Sequence, residues 1–452
     1  MKLRIMNLLI FNVELVAVKK FVTILCGMFL VLATAHSQTY LSVDDALRMA
    51  LEKNYDIIIS KNNDLIDKTN NTLGNSGFLP TITLNGANNY GVSNINQEMS
   101  TTTSTKEIVQ DGATNSSLTA NVSLNWTLFD GGKMFVTKHK LNEIQAQGEL
   151  EVKAQVQQTI SDVIGAYYNV LKQKQQLLSI REAIKYNTER VNILEATNNN
   201  GLSPKNFLLQ AKIDLNGYKQ SAIHQKNLLL ESKRSLNHLL GRDSEVEFDV
   251  ADSIPNNYQP NKDELTQKLF RNNLELLILE KAKDINKLTV SELNATRYPK
   301  VSFNSAYNYS QVNNSAGNLL RNNSSGLVAG ASVTMPVFQG GNINRQVKVA
   351  KIQYQSGIYT LDNTKLQLKK DLQNALDDYQ TQRELLDVEI ENETLAKENM
   401  MIAIERLRLS QSTSLEAHQA QESFVESQTR RINFNHNLKL AETRIKQLVA
   451  EF

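Results

Sequence analysis

The chain of 452 residues is 41% hydrophobic and 21% charged, with one cysteine and a formal net charge of +2. One cysteine excludes a disulfide scaffold, a cysteine-based zinc site and a cysteine-ligated iron–sulfur cluster, and a mean hydropathy of −0.37 is too polar for a bundle of membrane-spanning helices. The near-neutral charge gives no reason to expect a nucleic-acid surface, and six prolines in so long a chain favour long uninterrupted elements.

The N-terminus has the three-part pattern of a secretory signal peptide. Two lysines precede an apolar run, Phe21–Ala35, and Ala35 and Ser37 supply the small residues at the −3 and −1 positions of a cleavage site. Leu25 stands before Cys26, where a lipidation site needs a small residue, so plain secretion is preferred over a lipoprotein. We therefore predict a signal peptide over residues 1–37 and an exported mature chain.

The rest of the chain contains an internal duplication, because motifs of the first half recur in the second half in the same order. The matches are Asn54 with Asn273, Pro80 with Pro299, Leu128–Gly132 with Val337–Gly341, and Gln210–Ala211 with Gln419–Ala420. This duplication predicts two structural repeats, 38–241 and 263–452, joined by a linker at 242–262.

Each repeat is predicted to contain one helix, two strands and then two long helices. In four segments apolar and polar residues alternate with a period of two, which is the signal of a strand with one apolar face. The predicted strands are about 81–91, 117–129, 300–310 and 326–338. Each has about the length of a tilted membrane-spanning β-strand, roughly 9–11 residues. The polar segments Val92–Ser116 and Gln311–Gly326 are predicted to be exposed loops.

The long helices are predicted from narrow apolar stripes. In the first of them Ile160, Val163, Ile164 and Tyr167 recur at the spacing of one helical face, and the other faces are polar. The predicted helices are about 133–197, 204–240, 342–409 and 414–449. The first and third would each extend about 100 Å, and each then turns back at a short polar break.

These elements together restrict where the protein can work. Four strands cannot close a barrel, for which about eight is the practical minimum, and an open sheet edge is not tolerated in a bilayer. The chain must therefore self-associate if its strands span a membrane. The polar helices belong in water. The outer membrane and periplasm of a Gram-negative bacterium fit both requirements.

The duplicated order resembles that of the TolC-type outer membrane efflux proteins. The motifs that carry the resemblance are Phe78–Pro80 before a strand, Leu128–Gly132 at the strand-to-helix joint, and Gly201–Leu202 with Ala211 at the hairpin. The resemblance covers essentially the whole mature chain. It implies a mixed α/β membrane protein, a homotrimer with a shared 12-stranded outer-membrane β-barrel continuous with a periplasmic α-helical barrel. An equatorial region would include Val43–Lys53 and Arg242–Asn261.

The resemblance also implies a function and partners. The trimer would be a passive exit duct for small molecules or for type I secretion, embedded in outer membrane lipid. It would dock to a periplasmic adaptor protein and an inner-membrane transporter, which supplies the energy. The alternative that the residues leave open is a periplasmic coiled-coil structural or adaptor protein without a membrane barrel.

The resemblance assigns two kinds of site to the helical tips. The adaptor-docking hairpins would be Asn200, Gly201 and Leu202 in the first repeat and Leu409, Ser410 and Gln411 in the second. The entrance constriction would be formed by Glu416, Gln419 and Phe207, and a threefold ring of Glu416 would favour cations. The plainer alternatives are that Glu416 is a solvated helix residue and that Gly201 is only a helix C-cap.

No residue pattern points to an enzyme, a metal or a cofactor. The turns Asp130, Gly131 and Gly132, with Gly340 and Gly341 in the second repeat, lack the lysine of a phosphate loop and are predicted to be tight strand-to-helix turns. The six histidines are scattered, and no catalytic arrangement stands out. Tyr90, Trp126, Tyr307 and Tyr309 are candidates for an aromatic girdle at the membrane interface.

Overall fold

The computed structural model describes residues 39–452 apart from 101, 103 and 318; the predicted signal peptide and Cys26 lie outside the described residues. The strands are β1 (Thr39–Tyr40), β2 (Thr81–Ser100), β3 (Thr105–Asp130), β4 (Phe248–Asp249), β5 (Lys300–Asn314) and β6 (Arg321–Thr334). The helices are α1 (Val43–Lys53), α2 (Tyr55–Asn70), α3 (Lys133–Asn199), α4 (Lys205–Leu239), α5 (Lys262–Asn272), α6 (Leu274–Ala295), α7 (Asn342–Arg408) and α8 (Ser414–Leu448).

The main sheet has four antiparallel strands in the order β2-β3-β5-β6, so each repeat contributes one hairpin. The hairpins meet along β3 and β5, where Val122 lies opposite Tyr307 and Trp126 lies opposite Phe303. The remaining short strands, β1 and β4, form a separate parallel pair. The outer strands of the main sheet, β2 and β6, each have a strand partner on one side only within residues 39–452 as described.

The strands extend beyond their predicted ends. The ladder between β2 and β3 runs to the pair Ser100 and Thr105, so most of the segment Val92–Ser116, which we predicted to be a loop, is strand. A bulge at Asn94 shifts the register by one residue, and there the Asn94 side chain accepts the Gly112 N–H at 2.9 Å. The alternation of apolar residues stops there, but backbone pairing needs no apolar face where both faces meet water.

The second hairpin requires two corrections. The segment Gln311–Gly326 is mostly strand as well, with a turn between Asn314 and Arg321. At its other end β6 stops at Thr334, so residues 335–338 do not belong to the strand as predicted. Pro336 explains the early stop, because proline lacks the N–H that the ladder would need.

One face of the sheet is apolar. Directly opposed residues share a face, so the register puts the following side chains together: Ile82, Leu84, Tyr90, Leu118, Val122, Leu124, Trp126, Phe303, Tyr307 and Tyr309. The four candidate girdle residues share this face but not one level. Trp126 and Tyr90, which lies opposite Ser116, are about 33 Å apart along the strands.

The rods α3 and α7 are each 67 residues long, or about 100 Å. Among the residues that the structure describes, no helix is both long and apolar enough to cross a membrane. Near the sheet the helices lie side by side in the order α2-α3-α6-α7, and towards the far tips in the order α4-α3-α8-α7. Each chain is thus a single layer of helices, with α7 along one edge and α2 and α4 along the other.

The single helix predicted before each strand pair is divided in two by an asparagine. The Asn54 side chain accepts the N–H groups of Asp56 and Ile57, which starts α2, and donates to the Leu239 carbonyl at 2.9 Å. In the second repeat Asn273 starts α6 and donates to the Leu448 carbonyl at 2.8 Å. Side-chain capping competes with helix continuation at asparagine, so both repeats bend at the same point.

The segments assigned to the equatorial region lie against the middle of α3. Tyr167, part of the predicted apolar stripe, is fully buried there. Its hydroxyl donates to the Leu41 carbonyl at 2.9 Å and accepts the Ala251 N–H at 3.1 Å. One side chain therefore joins the start of the chain, the first rod and the linker between repeats.

Candidate functional site

The first tip is closed by a left-handed glycine. After α3, Gly201 has a φ of 73°, its N–H donates to the Asn198 carbonyl, and the Leu202 N–H donates to the Thr197 carbonyl at 2.8 Å. This is the hydrogen-bond pattern of a Schellman turn. The next helix starts from Pro204 as N-cap. Gly201 therefore closes the helix, and Leu202 stands exposed at the tip.

The second tip makes the same turn without glycine. Ser410 has a φ of 56°, and the Gln411 N–H donates to the Arg406 carbonyl at 2.8 Å. A left-handed backbone costs a non-glycine residue roughly 1–2 kcal/mol, and the helix-closing hydrogen bonds offset it. Thr413 then caps α8 by accepting the Glu416 N–H at 3.2 Å. Both candidate docking hairpins thus have one backbone geometry.

Glu416 lies in the first turn of α8 and has two side-chain partners. Its Oε1 is 2.9 Å from Nη1 of Arg406, and its Oε2 accepts the Ser412 hydroxyl at 2.7 Å. Arg406 also donates to the Gln411 carbonyl at 3.1 Å. The sequence did not single out Arg406, because its closeness to Glu416 depends on the turn at Ser410.

The structure divides the three candidate constriction residues between two clefts. Glu416 and Gln419 line a groove of about 190 Å³ between α7 and α8. Phe207 lines a separate cleft of about 150 Å³ between the two hairpins, together with Leu202 and Ser410. The tip of one chain therefore offers a polar groove on one side and a partly apolar cleft in the middle.

A buried charged cluster joins the two hairpins of the chain. Arg190 on α3 is only 1% exposed and forms an ion pair with Asp214 on α4. Its Nη1 also lies 2.9 Å from Nδ1 of His418 on α8. A charge buried this deeply is stable only with such partners. Sequence reasoning missed Arg190, since the three residues are far apart along the chain.

His436 is a second buried polar group on α8, nearer the equator. Its ring nitrogen Nε2 has no hydrogen-bond partner. Burial lowers the pKa of this histidine, the nearby Lys172 lowers it further, and a long hydrogen bond to Asn437 opposes the shift. The ring is therefore neutral at pH 7. Among the described residues, no cluster of three acidic, histidine or cysteine side chains is arranged to hold a metal ion.

The free edge of α7 carries an unpartnered apolar stripe. Three residues spaced seven apart are more than half exposed: Val388, Leu395 and Ile402. The stripe has a counterpart nearer the sheet, formed by the exposed residues Ile352, Tyr359 and Leu366. A seven-residue apolar repeat is typical of a helix packed along another helix, yet no described part of the chain packs along these positions.

The opposite edge of the layer is apolar as well. On α4 the exposed residues are Leu209, Ile213 and Ile223, and on α2 they are Ile59, Leu65 and Ile66. Exposed apolar residues grouped along one edge are typical of a contact surface. Both edges of one chain are thus suited to being covered.

The strand-to-helix turns show how the repeats contact each other. A Cβ on Gly131 would come within 2.4 Å of the Ala295 carbonyl and 2.7 Å of Tyr298, whereas nothing lies within 4 Å of the matching Gly340. The neighbours of these turns differ too, since Leu128 and Phe129 are 48% and 44% exposed but Val337 and Phe338 are 90% and 84% exposed. The second repeat covers a surface on the first, and the equivalent surface on the second repeat is bare.

Comparisons with known proteins agree with this architecture. A family model described as outer membrane efflux protein matches residues 69–242 and 265–451. Among solved structures, the outer-membrane channel OprN superposes with a TM-score of 0.75 at 14% identity, covering 91% of this chain and 90% of its own. The outer membrane channel CmeC of Campylobacter jejuni superposes with a TM-score of 0.76 at 15% identity, covering 90% of this chain and 85% of its own.

A third structure shows the same fold. The outer membrane protein VceC of Vibrio cholerae superposes with a TM-score of 0.71 at 16% identity, covering 90% of this chain and 95% of its own. A sequence search of curated proteins found no match.

Proposed function

Because the chain belongs to the outer membrane efflux protein family, we propose that three copies form a passive exit duct with one shared 12-stranded β-barrel and one continuous helical barrel. Membership of the family confirms the resemblance to TolC-type proteins and a location in the outer membrane of a Gram-negative bacterium, extending into the periplasm. The finer statements on assembly, partners and entrance are argued below.

The observation that carries the proposal is that every layer of the chain ends in an uncovered edge. Among the described residues, β2 and β6 each have a strand partner on one side only, and an unpaired backbone group in lipid costs several kcal/mol. The apolar stripes on α2, α4 and α7 likewise have no partner in the part of the chain that the structure describes. Copies arranged in a ring cover all of these edges at once, and three copies give the strand number that the family resemblance implies.

The duplication indicates which surfaces would meet. Inside the chain, Lys140 on α3 forms an ion pair with Glu292 on α6, so the first repeat contacts the second there. The equivalent positions are Val349 in the second repeat and Leu73 in the first. Both are exposed apolar residues, so a ring would bring Val349 of one copy against Leu73 of the next.

The tips support the proposed docking role. Leu202 follows and Leu409 precedes the left-handed residue of its turn, and both are exposed, so the assembled ring would present one apolar side chain at every tip towards the inner membrane. Such anchors suit a helical partner that receives them in grooves. The partner we propose is a periplasmic adaptor bound to an inner-membrane transporter, with the transporter supplying the energy. The entrance constriction is proposed to lie at Glu416, Gln419 and Phe207.

A cross-linking experiment tests the ring. The sequence has a single cysteine, Cys26, within the predicted signal peptide, so introduced cysteines would stand alone in the mature chain. The double variant Leu73→Cys with Val349→Cys, treated with a short bismaleimide in the membrane, should give dimer and trimer bands. Leu73→Cys combined with Lys397→Cys is the matched control, because Lys397 lies far along α7, and it should stay monomeric.

The alternative, a periplasmic coiled-coil protein without a barrel, predicts a different result. It would leave the protein in the soluble periplasmic fraction, and no protease-protected strand segment would be recovered from membranes. Membrane-inserted protein that gives only monomer from the Leu73 and Val349 pair would refute the proposed ring.

A further inference from the structure

We propose that Arg406 offsets the charge of Glu416 at the tip, so that the entrance passes small cations and anions with little preference. This inference rests on the proposed function, because it takes the tip hairpins to line the entrance. It differs from the expectation of a cation-favouring ring, which considered Glu416 alone.

The pair is positioned by the hairpin itself. Arg406 lies in the last turn of α7 and Glu416 in the first turn of α8. The left-handed Ser410 brings these two turns face to face, and the distance between the charged groups is 2.9 Å. An arginine and a carboxylate at this distance form a charge-assisted hydrogen bond, so the two charges lie at nearly one point on the tip.

Further contacts keep the two side chains in place. Arg406 donates to the Gln411 carbonyl at 3.1 Å, and Ser412 donates to the second carboxylate oxygen of Glu416 at 2.7 Å. Both charged side chains are 47% exposed, so each still acts on the water in front of it. A local dipole rather than a free negative charge therefore faces the groove.

The lining of the groove itself adds no further charge to this pair. Arg406 and Glu416 are the only charged residues lining the groove of about 190 Å³, and Gln419 in the same groove is neutral. The next arginine along α7, Arg408, is itself paired with Glu405 and with Glu189 on α3. Opposite charges this close together largely cancel at distances beyond a Debye length.

Reversal potentials in planar bilayers under a KCl gradient test the inference. Arg406→Gln leaves three uncompensated carboxylates in the assembled ring and should raise the ratio of K⁺ to Cl⁻ permeability about three- to tenfold, because the charges lie within roughly one Debye length of a narrow entrance. Glu416→Gln should shift the ratio the same distance towards Cl⁻. The double variant should return to the wild-type value.

Two controls separate charge from structure. Arg406→Lys keeps the charge and should keep the wild-type reversal potential. Arg234→Gln breaks an exposed arginine–glutamate pair of the same kind, with Glu245 at 3.0 Å. It should leave the reversal potential unchanged, because Arg234 lies on α4 far from the tip. A trimer band for each variant shows that the assembly is intact.

The possible failures are distinguishable. Open channels whose reversal potential is unchanged in Arg406→Gln would overturn the inference and leave the duct standing. A strongly cation-selective wild type that Glu416→Gln merely renders unselective would also overturn it. Absence of conductance in the wild-type protein would contradict the duct itself, and the inference with it.

Discussion

Replacing Leu395 with aspartate is expected to separate the copies while leaving each chain folded. Leu395 is the second residue of the seven-residue stripe on α7, and 57% of it is exposed. Its equivalent in the first repeat is Tyr186, which packs edge-on against Phe424 of the second repeat at 6.3 Å between ring centroids. Leu395 is therefore predicted to pack against the first repeat of the next copy.

The size of the effect follows from the exposed area. Burying a whole leucine contributes about 1.5–3 kcal/mol, so covering the exposed part contributes about 1–2 kcal/mol per seam. Leu395→Ala should weaken each of three seams by up to that amount. Leu395→Asp also buries an unpaired carboxylate, which costs several kcal/mol more per seam, so its trimer should not survive at moderate concentration.

The assay is the mass of the detergent-solubilised particle, measured by light scattering or sedimentation at increasing denaturant. Lys397→Asp is the matched control, since it places the same side chain about 200° round the helix and should keep the parental trimer. The helical circular dichroism of both variants should match that of the parent. A Leu395→Asp trimer as stable as the parent would refute the proposed seam.

Three further predictions concern the single chain. Tyr167→Phe leaves two buried backbone groups without a partner and should cost about 2–4 kcal/mol of unfolding free energy. The hydroxyl of Tyr186 contacts Glu182 on the same helix, so Tyr186→Phe should cost less than half of that. Equal losses in the two variants would contradict the role given to the Tyr167 hydroxyl. The pKa of His436 is lowered in the folded chain, so the unfolded chain binds more protons and the free energy of unfolding should fall as pH drops below about 6.5. His436→Gln should flatten the dependence of melting temperature on pH. An unchanged slope in this variant would show that His436 is not its cause. Gly131→Ala forces a methyl group against a backbone carbonyl and should lower the melting temperature more than Gly132→Ala, whose added Cβ has no neighbour within 4 Å. Equal losses in melting temperature would show that only the left-handed backbone, and not the close contact, is responsible.

The fold was largely predictable because its signals are local and repeated. The alternation around Trp126 indicates a strand, and the apolar stripe through Tyr167 indicates a helix. The paired glycines after Asp130 mark where the strand ends and the helix begins. The actual strand ends were not predictable. Beyond Val92 both faces are polar, so the alternation that identifies a strand is lost although the backbone ladder continues.

The candidate site was predictable only where the turn itself carries the information. A glycine after a long helix, as at Gly201, indicates a left-handed C-terminal residue, but Ser410 takes the same conformation without any sequence signal. The pairing of Arg406 with Glu416 and the burial of Arg190 depend on which helix faces meet, and this is fixed by packing between distant segments. A sequence read one helix at a time shows Glu416 as a charge but not its partner.

The most direct test of the account is the conductance of the purified protein in planar lipid bilayers. Detergent-extracted trimers should insert and produce discrete, long-lived current steps of one size, because each trimer encloses one passage of the same dimensions. Protein that associates with membranes but gives no steps, or that purifies as a water-soluble monomer, would contradict the central claim that the chain is one third of a duct.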